Sequence, residues 1–291
     1  MNEAAPTFDL QSHSRYSDGA LPPAEVVGIA ASAGVELMAL SDHDTVEGVP
    51  EAAAEAARLG LAIVPATEIS ALDPAGADLH ILGYGIDASD SELARRLTDY
   101  RADREQRADR MADALRELGF ELDESVMKRR VEQGKPIGRP HLSQAVVTHP
   151  GNAQRLVQEG RQELSAFLEA YLIEGRPAFR SRTIPSVEQA IETIHAAGGV
   201  AVWAHPFWDI AAAEDVLAAL ERFRSLGIDG VECFYATHTR EQSELLADRC
   251  GQLGLLTTGS SDFHGPEHKL FSRFRAFSTY GREPALGPIV G

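Results

Sequence analysis

The 291-residue sequence is poor in cysteine and has no long apolar segment. Two cysteines are too few for a disulfide framework and fit the reduced thiols of a cytosolic protein. No apolar run approaches the roughly 18 residues that a membrane-spanning helix needs. Residues 1–10 lack the basic start and apolar stretch of a secretory signal. These absences predict a soluble, cytoplasmic protein.

Positive charge is also scarce, and its distribution is uneven. The chain has 27 basic against 44 acidic residues and a net charge of −17, which disfavours bulk nucleic-acid binding. Residues 1–90 carry a net charge of −13 and residues 184–291 carry −6, whereas residues 91–183 carry +2. This shift predicts one domain formed by residues 7–90 and 184–291, with residues 91–183 inserted into it.

Short apolar segments alternate with helical patterns in the outer parts of the chain. Seven segments have the length, β-branched or aromatic content and flanking turn residues of strands: 8–14, 37–43, 62–70, 78–85, 199–206, 227–234 and 255–262. Helical patterns lie between most of them, and Ser186 is a candidate N-cap of one. Such alternation predicts an α/β fold with parallel strands, either a barrel or a doubly wound sheet.

The middle of the chain has helical patterns only. A long polar helix is predicted over 90–119, and shorter helices are predicted over 123–133, 139–148, 152–157 and 161–174. We expect an all-helical insertion, with basic residues such as Arg107 on a solvated helix face.

Imidazoles and carboxylates recur where the predicted strands end. They are His13, Asp18, His43, Glu68, His80, His205, Asp262 and His264. The carboxyl ends of parallel strands meet at one face of an α/β fold, where active sites are built. Histidine and carboxylate together are ligands for Zn²⁺, Mn²⁺ or Fe²⁺. Glu68 ends an apolar strand, where an unpaired carboxylate would be costly. The pattern therefore predicts a metal centre.

The motifs DLQSHSRYSDG, LSDHDT, ATEIS, DLHILGYG, GGVAVWAHP and GSSDFHG, in this order, resemble the polymerase and histidinol phosphatase (PHP) family. The resemblance implies a distorted seven-stranded (β/α)7 TIM-like barrel with metals bound at the strand ends. The helical insertion, with GRPHL at 138–142, resembles the subgroup of small PHP phosphoesterases that act on nucleotide phosphates. In that subgroup the insertion covers the active site.

The resemblance also implies two or three bound divalent ions, each with its own set of ligand residues. One ion would be held by Gln11, His13, Glu68 and Asp262, a second by Glu68, His80 and His205, and a third by Asp18, His43 and His264. The family normally has histidine where this chain has Gln11, and an amide oxygen is a weaker ligand than imidazole. We therefore expect a two-metal site, or a preference for Mn²⁺ or Fe²⁺, over a tight three-zinc cluster.

The activity implied is hydrolysis of phosphate monoesters of mononucleotides or nucleoside 3',5'-bisphosphates by a metal-bound hydroxide. We expect the enzyme to be a monomer that does not bind a membrane. Arg139 and His141 of GRPHL match subgroup residues that face the phosphate. His264, His238, His141 or a metal-bound water would protonate the leaving oxygen, and the sequence does not choose among them.

Other activities stay open. Within the family these are a 5'-3' exonuclease of short RNA and, more weakly, a histidinol-phosphate phosphatase. An amidohydrolase is disfavoured because none of the three lysines, which could carry a bridging carbamate, lies on a predicted strand. A non-catalytic metal-binding module has its only support in the Gln11 substitution.

Overall fold

The computed structural model describes residues 6–75, 77–132, 137–181 and 183–290. The chain forms two compact units, Met1–Thr98 with Pro185–Gly291 and Asp99–Ile184. We call the first the barrel unit and the second the helical unit.

The barrel unit contains one seven-stranded sheet whose strand order follows the chain. Its strands are β1 (Phe8–Asp9), β2 (Leu37–Leu40), β3 (Ala62–Leu72), β4 (Asp78–Tyr84), β5 (Val200–Trp203), β6 (Gly230–Tyr235) and β7 (Leu256–Ser260). Beyond β1, Leu10 N donates to Gly259 O at 3.2 Å and His13 N donates to Phe263 O at 2.8 Å, which brings the first and last strands together. The expected distorted seven-stranded TIM-like barrel is confirmed.

One strand departs from the expected parallel arrangement. β4 runs antiparallel to both β3 and β5, while the other neighbouring pairs are parallel. The connection from β3 to β4 is a short turn, and only an antiparallel pair can be joined without a long crossover. The prediction of parallel strands throughout was therefore wrong for β4.

Helices surround the sheet in the barrel unit and make up the helical unit. Those of the barrel unit are α1 (Pro23–Ser32), α2 (Val49–Leu59), α8 (Val187–Ala196), α9 (Pro206–Asp209), α10 (Ala213–Ser225) and α11 (Arg240–Leu253). α3 (Ser91–Glu117) begins in the barrel unit and continues into the helical unit, which also holds α4 (Glu124–Glu132), α5 (Arg139–Val147), α6 (Ala153–Glu159) and α7 (Leu164–Tyr171). Residue 133 of one predicted helix lies outside the described residues. None of the helices in the described part of the chain combines the length and hydropathy required to cross a bilayer.

Capping and apolar packing hold these elements in place. Ser186 caps α8 as predicted, and its side chain and that of Gln189 each bond the other residue's backbone N–H. Buried residues of α1, α2 and β2 form one core cluster, and residues along the strands, including Tyr84, form another. The helical unit has its own core, in which Phe120 and Phe167 are buried.

Six of the seven strands are shorter than predicted, whereas β3 is two residues longer and extends beyond Glu68, which was predicted to end it. Glu68 and His80 therefore lie within strands, and the other candidate ligands lie in the loops that follow the strands. The predicted strand 8–14, for example, is extended only over Phe8–Asp9. Asp44, His205 and Asp262, which lie in or beside such loops, have positive φ angles of 51°, 28° and 55°. Non-glycine residues adopt such angles rarely, and their strain is commonly found at functional sites.

Candidate metal centre

Glu68 is the centre of a largely buried cluster of side chains from six strands or strand ends. Its Oε1 lies 2.8 Å from His80 Nδ1 and 3.1 Å from His205 Nε2. Its Oε2 lies 3.0 Å from His13 Nε2 and 3.6 Å from His43 Nδ1. Both carboxylate oxygens therefore face imidazole nitrogens.

The reversed direction of β4 brings His80 to this cluster. His80 pairs with Ser70 across the β3–β4 hairpin and lies near the start of β4, not at its carboxyl end. Because β4 is antiparallel, its start lies where the parallel strands finish. The prediction that His80 ends a strand was wrong, although the residue does reach the predicted cluster.

Asp18 and Asp262 complete the cluster. Asp18 lies 3.6 Å from His43 Nε2, 3.4 Å from His264 Nε2 and 3.6 Å from His13 Nδ1. Asp262 Oδ1 lies 3.0 Å from His13 Nε2. Gly19 holds Asp18 close, because a Cβ at position 19 would come within 2.2 Å of the His13 carbonyl oxygen.

Three groups of residues present ligand atoms that lie within 4.8 Å of one another. They are His13, Asp18, His43 and His264; His43, Glu68 and His80; and His13, Glu68 and Asp262. They resemble the sets expected from the sequence, with two differences. His43 accompanies Glu68 and His80 in the place expected for His205, and Gln11 lies beside the third group.

Gln11 reaches the cluster through its amide nitrogen. Nε2 donates to Glu68 Oε2 at 2.8 Å, and Oε1 accepts from the Ser260 hydroxyl at 3.3 Å. All three side chains are buried. In this arrangement the amide orients Glu68, and the ligand role of its oxygen stays a prediction.

The charges of the cluster suit a cation. Burial alone would raise the pKa of Glu68, but His43 and His80 hold that pKa well below its ordinary value. His43 and His264 likewise keep the pKa of Asp18, whose side chain is 42% exposed, well below its ordinary value. Ionised carboxylates are the form that binds metals.

Unsatisfied polar atoms provide a test of whether a metal fits. The buried atoms without an aligned hydrogen-bond partner in the described part of the chain include His13 Nε2, His43 Nδ1 and Asp262 Oδ1, although His13 Nε2 lies 3.0 Å from both Glu68 Oε2 and Asp262 Oδ1. Such atoms are costly unless something bonds them. All three belong to the groups above, so a divalent ion would bond atoms that the protein leaves without an aligned partner. The residues present therefore fit bound metal.

The sequence reasoning missed the residues that hold the ligands in place. Glu232 on β6 is fully buried, accepts from the backbone N–H of His205 at 2.9 Å and bonds the Ser260 hydroxyl at 2.6 Å. Burial raises its pKa to about 8. The Tyr235 hydroxyl donates to Asp262 Oδ2 at 2.8 Å. Glu232 lies inside the apolar segment GVECF, and a glutamate in an apolar strand is the same pattern that identified Glu68.

Asp42 supports the loop that follows His13. It accepts hydrogen bonds from the backbone N–H and hydroxyl of Ser14 and from the hydroxyl of Ser17, at 2.6–2.7 Å. These bonds fix the segment between His13 and Asp18, which carries two of the clustered side chains.

His238 lies outside the three groups. Its Nδ1 donates to the carbonyl oxygen of Cys233 at 3.2 Å, and its ring meets Phe207 edge-on at 5.5 Å. Burial lowers its pKa to about 4. A neutral ring with its proton on Nδ1 offers only a lone pair at Nε2, which makes His238 a poor proton donor.

The predicted phosphate-facing residues belong to the helical unit. Arg139 and His141 lie in the first turn of α5, and His141 Nδ1 accepts the backbone N–H of Gly138 at 3.0 Å. Arg107 is buried, since its Nε donates to Arg180 O at 2.7 Å and its guanidinium covers Phe179. The expectation of a solvated Arg107 was wrong because its long stem packs into the unit.

The chain matches a known protein family and is similar to bacterial proteins of named activity. The family model described as "PHP domain" matches residues 9–102. A 5'-3' exoribonuclease of Haemophilus influenzae is 34% identical over 89% of this chain and 90% of the relative. A 3',5'-nucleoside bisphosphate phosphatase of Chromobacterium violaceum is 33% identical over 89% of this chain and 87% of the relative.

Solved structures agree with the fold. A structure from Chromobacterium violaceum, described as an amidohydrolase with bound sulfate and no metal, has a TM-score of 0.74 and 32% identity. It matches 91% of this chain and 90% of its own. A structure from Bifidobacterium adolescentis, assigned as a metal-dependent phosphoesterase, has a TM-score of 0.71 and 27% identity over 90% of this chain and 89% of its own.

Proposed function

The chain belongs to the PHP family and is a phosphoesterase that depends on divalent metal, and we propose that it releases phosphate from nucleotides. The substrates proposed are phosphate monoesters of mononucleotides or nucleoside 3',5'-bisphosphates. The observation that carries the proposal is the Glu68 cluster, in which one buried carboxylate meets four imidazoles. The name of the Chromobacterium violaceum relative supports the substrate class.

Two or three divalent ions, Mn²⁺, Fe²⁺ or Zn²⁺, would be held by the three groups of the cluster. Glu68 is the shared ligand, because its two oxygens belong to different groups of neighbours. When bound, the ions supply an activated water and neutralise charge on the phosphoryl oxygens. His205 is proposed as a further ligand on the Oε1 side of Glu68.

His264 is the histidine proposed to deliver a proton to the leaving oxygen. Its Nε2 faces Asp18 at 3.4 Å, and its Nδ1 bonds the backbone carbonyl oxygen of its neighbour Asp262 at 2.6 Å. The carbonyl contact places a proton on Nδ1, so Nε2 can exchange the second proton when only two ions are bound and the group with Asp18 holds none. The ring is therefore oriented from one side and available on the other, unlike that of His238.

Arg139 and His141 are proposed to bind the substrate phosphate from the helical unit. An arginine suits this role because its planar fork bonds two phosphate oxygens at once. The charge pattern supports the assignment, since residues 91–183 carry +2 between segments of −13 and −6.

Metal analysis followed by a phosphate-release screen tests the function. The purified protein should contain at least one divalent ion per chain and release phosphate from AMP and adenosine 3',5'-bisphosphate faster than from histidinol phosphate. Glu68→Gln should abolish both properties, while Glu92→Gln, which alters an exposed carboxylate paired with Arg95, should change neither. A metal-loaded protein without activity on any nucleotide would contradict the proposal.

Exonuclease action on short RNA is the second candidate, favoured by the name of the Haemophilus influenzae relative. A 3'-labelled RNA of about five nucleotides distinguishes the two. Stepwise loss of mononucleotides from the 5' end, at a higher kcat/KM than phosphate release from AMP, would favour the exonuclease.

A further inference from the structure

A tryptophan is exposed immediately beside the metal centre. α9 begins directly after His205 and carries Trp208, whose exposed fraction is 49%. Trp208 is the one aromatic side chain among the exposed large apolar residues in the described part of the chain. Single exposed apolar side chains are common, so the exposed indole is of interest because of its position beside the metal centre.

Buried rings connect Trp208 to two of the clustered histidines. Its ring centroid lies 5.5 Å from that of Phe271 and 6.4 Å from that of Tyr235, edge-on in both pairs. Phe271 in turn lies 5.6 Å from His264, and Tyr235 lies 5.1 Å from His205. A single ring therefore separates the exposed indole from the metal centre on either path.

The packing holds the indole of Trp208 in place and leaves about half of its surface exposed to a ligand. Phe271 and Tyr235 are buried and lie at steep angles to the indole, so they limit its movement. A rigid aromatic ring loses little conformational entropy when a planar ligand stacks on it.

We propose that Trp208 forms a stacking platform for the nucleobase of a substrate whose phosphate lies at the metal centre. This rests on the proposed nucleotide phosphatase function and deepens it by assigning a base subsite. A nucleotide joins a planar aromatic group to a phosphate, which matches an exposed indole one ring away from metal ligands. Stacking accepts every base, because each has a π-face, so the subsite distinguishes nucleotides from phosphosugars without selecting one base.

Kinetics with matched substrates test the platform. Trp208→Ala should lower kcat/KM for AMP by about 5- to 150-fold, mainly through KM, since stacking on an aromatic side chain is worth that much per base. The same variant should hydrolyse ribose 5-phosphate, which lacks a base, at the unchanged rate. Trp208→Phe should retain most of the AMP activity. Leu59→Ala, which shortens an exposed apolar side chain at the end of α2, is the control and should match the parent on both substrates.

Two kinetic outcomes would overturn the proposal. Equal losses for AMP and ribose 5-phosphate would mean that Trp208 only positions its neighbour His205. An unchanged kcat/KM for AMP in Trp208→Ala would mean that no base stacks there, and that the exposed indole serves another contact.

Tryptophan fluorescence separates failure of the platform from failure of the phosphatase proposal. The chain has two tryptophans, and Trp203 is fully buried. Adenosine, which carries no phosphate, should quench the emission of the parent protein and leave that of Trp208→Phe unchanged. Quenching without phosphate release from any nucleotide would keep the base subsite and reject the proposed substrate. Phosphate release from AMP without quenching, at adenosine concentrations up to its solubility limit, would reject the subsite and keep the function.

Discussion

The barrel unit and the helical unit bury polar side chains in different ways. In the helical unit, buried Asn152 donates to Glu121 O and Val146 O, and buried Ser143 donates to Leu164 O, so these groups tie chain segments together. In the barrel unit, buried His13 and Asp262 approach within 3.0 Å yet leave atoms without hydrogen bonds. In the helical unit these buried polar groups complete backbone hydrogen bonds and support the fold, whereas the unsatisfied atoms of the Glu68 cluster are positioned to bind a ligand.

Charges near the surface follow the same division. On α3 and α6, exposed pairs such as Arg116–Asp113 and Arg155–Glu159 lie in solvent, where an ion pair contributes little to the free energy of unfolding. In the barrel unit the carboxylate of Glu68 is fully buried among imidazole rings that hold its pKa well below the ordinary value. Substitutions in the Glu68 cluster of the barrel unit should therefore lower the metal content. Substitutions in the helical unit should lower substrate affinity or have no effect.

The sharpest test of this division is Glu68→Gln. We expect loss of bound metal by more than about 100-fold in affinity, because even residues that only support a ligand are worth 10–100-fold. Nearly all phosphatase activity should disappear with it. Elemental analysis and phosphate release measure both effects, and circular dichroism should show an unchanged fold. A variant with normal metal content and rate would show that Glu68 is not a shared ligand.

Sequence patterns were sufficient for the barrel and for most of the cluster, for an identifiable reason. Polar residues in or after apolar strands are conspicuous, so His13, Glu68 and Asp262 are recognisable from the sequence alone. The direction of β4 was not predicted, although the five residues between β3 and β4 are too few for a crossover helix. That single reversal explains why His80, early in its strand, still reaches Glu68.

Supporting residues were harder to predict because their signal is three-dimensional. Tyr235 and Ser260 look like ordinary strand residues, and only the packed sheet shows that their hydroxyls bond Asp262 and Glu232. Arg107 was misjudged for the same reason, since helical periodicity gives no warning that its guanidinium covers Phe179.

Arg139→Ala tests the contribution of the helical unit. If the guanidinium binds the substrate phosphate, its loss removes hydrogen bonds to a charged group worth roughly 1.5–3 kcal/mol, and kcat/KM for AMP should fall by about 10- to 150-fold. Metal content should stay the same. Arg129→Ala is the control, because that residue is exposed on α4 and bonds only its neighbour Ser125 among the contacts described. Normal kinetics in Arg139→Ala would exclude the contact, and loss of metal would mean that the helical unit supports the barrel unit.

His238 provides a test by pH in the barrel unit. Burial lowers the pKa of the folded imidazole to about 4 from an ordinary value of 6.5, so the unfolded chain binds more protons between these values. The contribution of His238 to the free energy of unfolding is therefore present above pH 6.5 and is lost as the pH falls toward 4. The loss should reach about 1–3 kcal/mol in the metal-free protein. Urea unfolding of the parent and of His238→Asn should give curves that converge as the pH falls; a constant difference from pH 7 to pH 4.5 would contradict the assignment.

Gln11→His should have the smallest effect on metal binding and activity, and it tests whether position 11 lies within reach of a metal ion. The amide donates to Glu68 Oε2 and accepts from Ser260, so the parent side chain orients a carboxylate without offering a ring nitrogen. An imidazole at this position adds a ligand that zinc favours and removes the donor that competes for Glu68. Competition titrations should show tighter zinc binding by about tenfold, the lower end of what groups around a metal contribute, and a smaller change for Mn²⁺. Gln252→His, on the exposed end of α11, corrects for zinc that binds any added histidine. Superimposable curves for the parent and Gln11→His would show that position 11 lies beyond the reach of an ion, so that Gln11 acts only on Glu68.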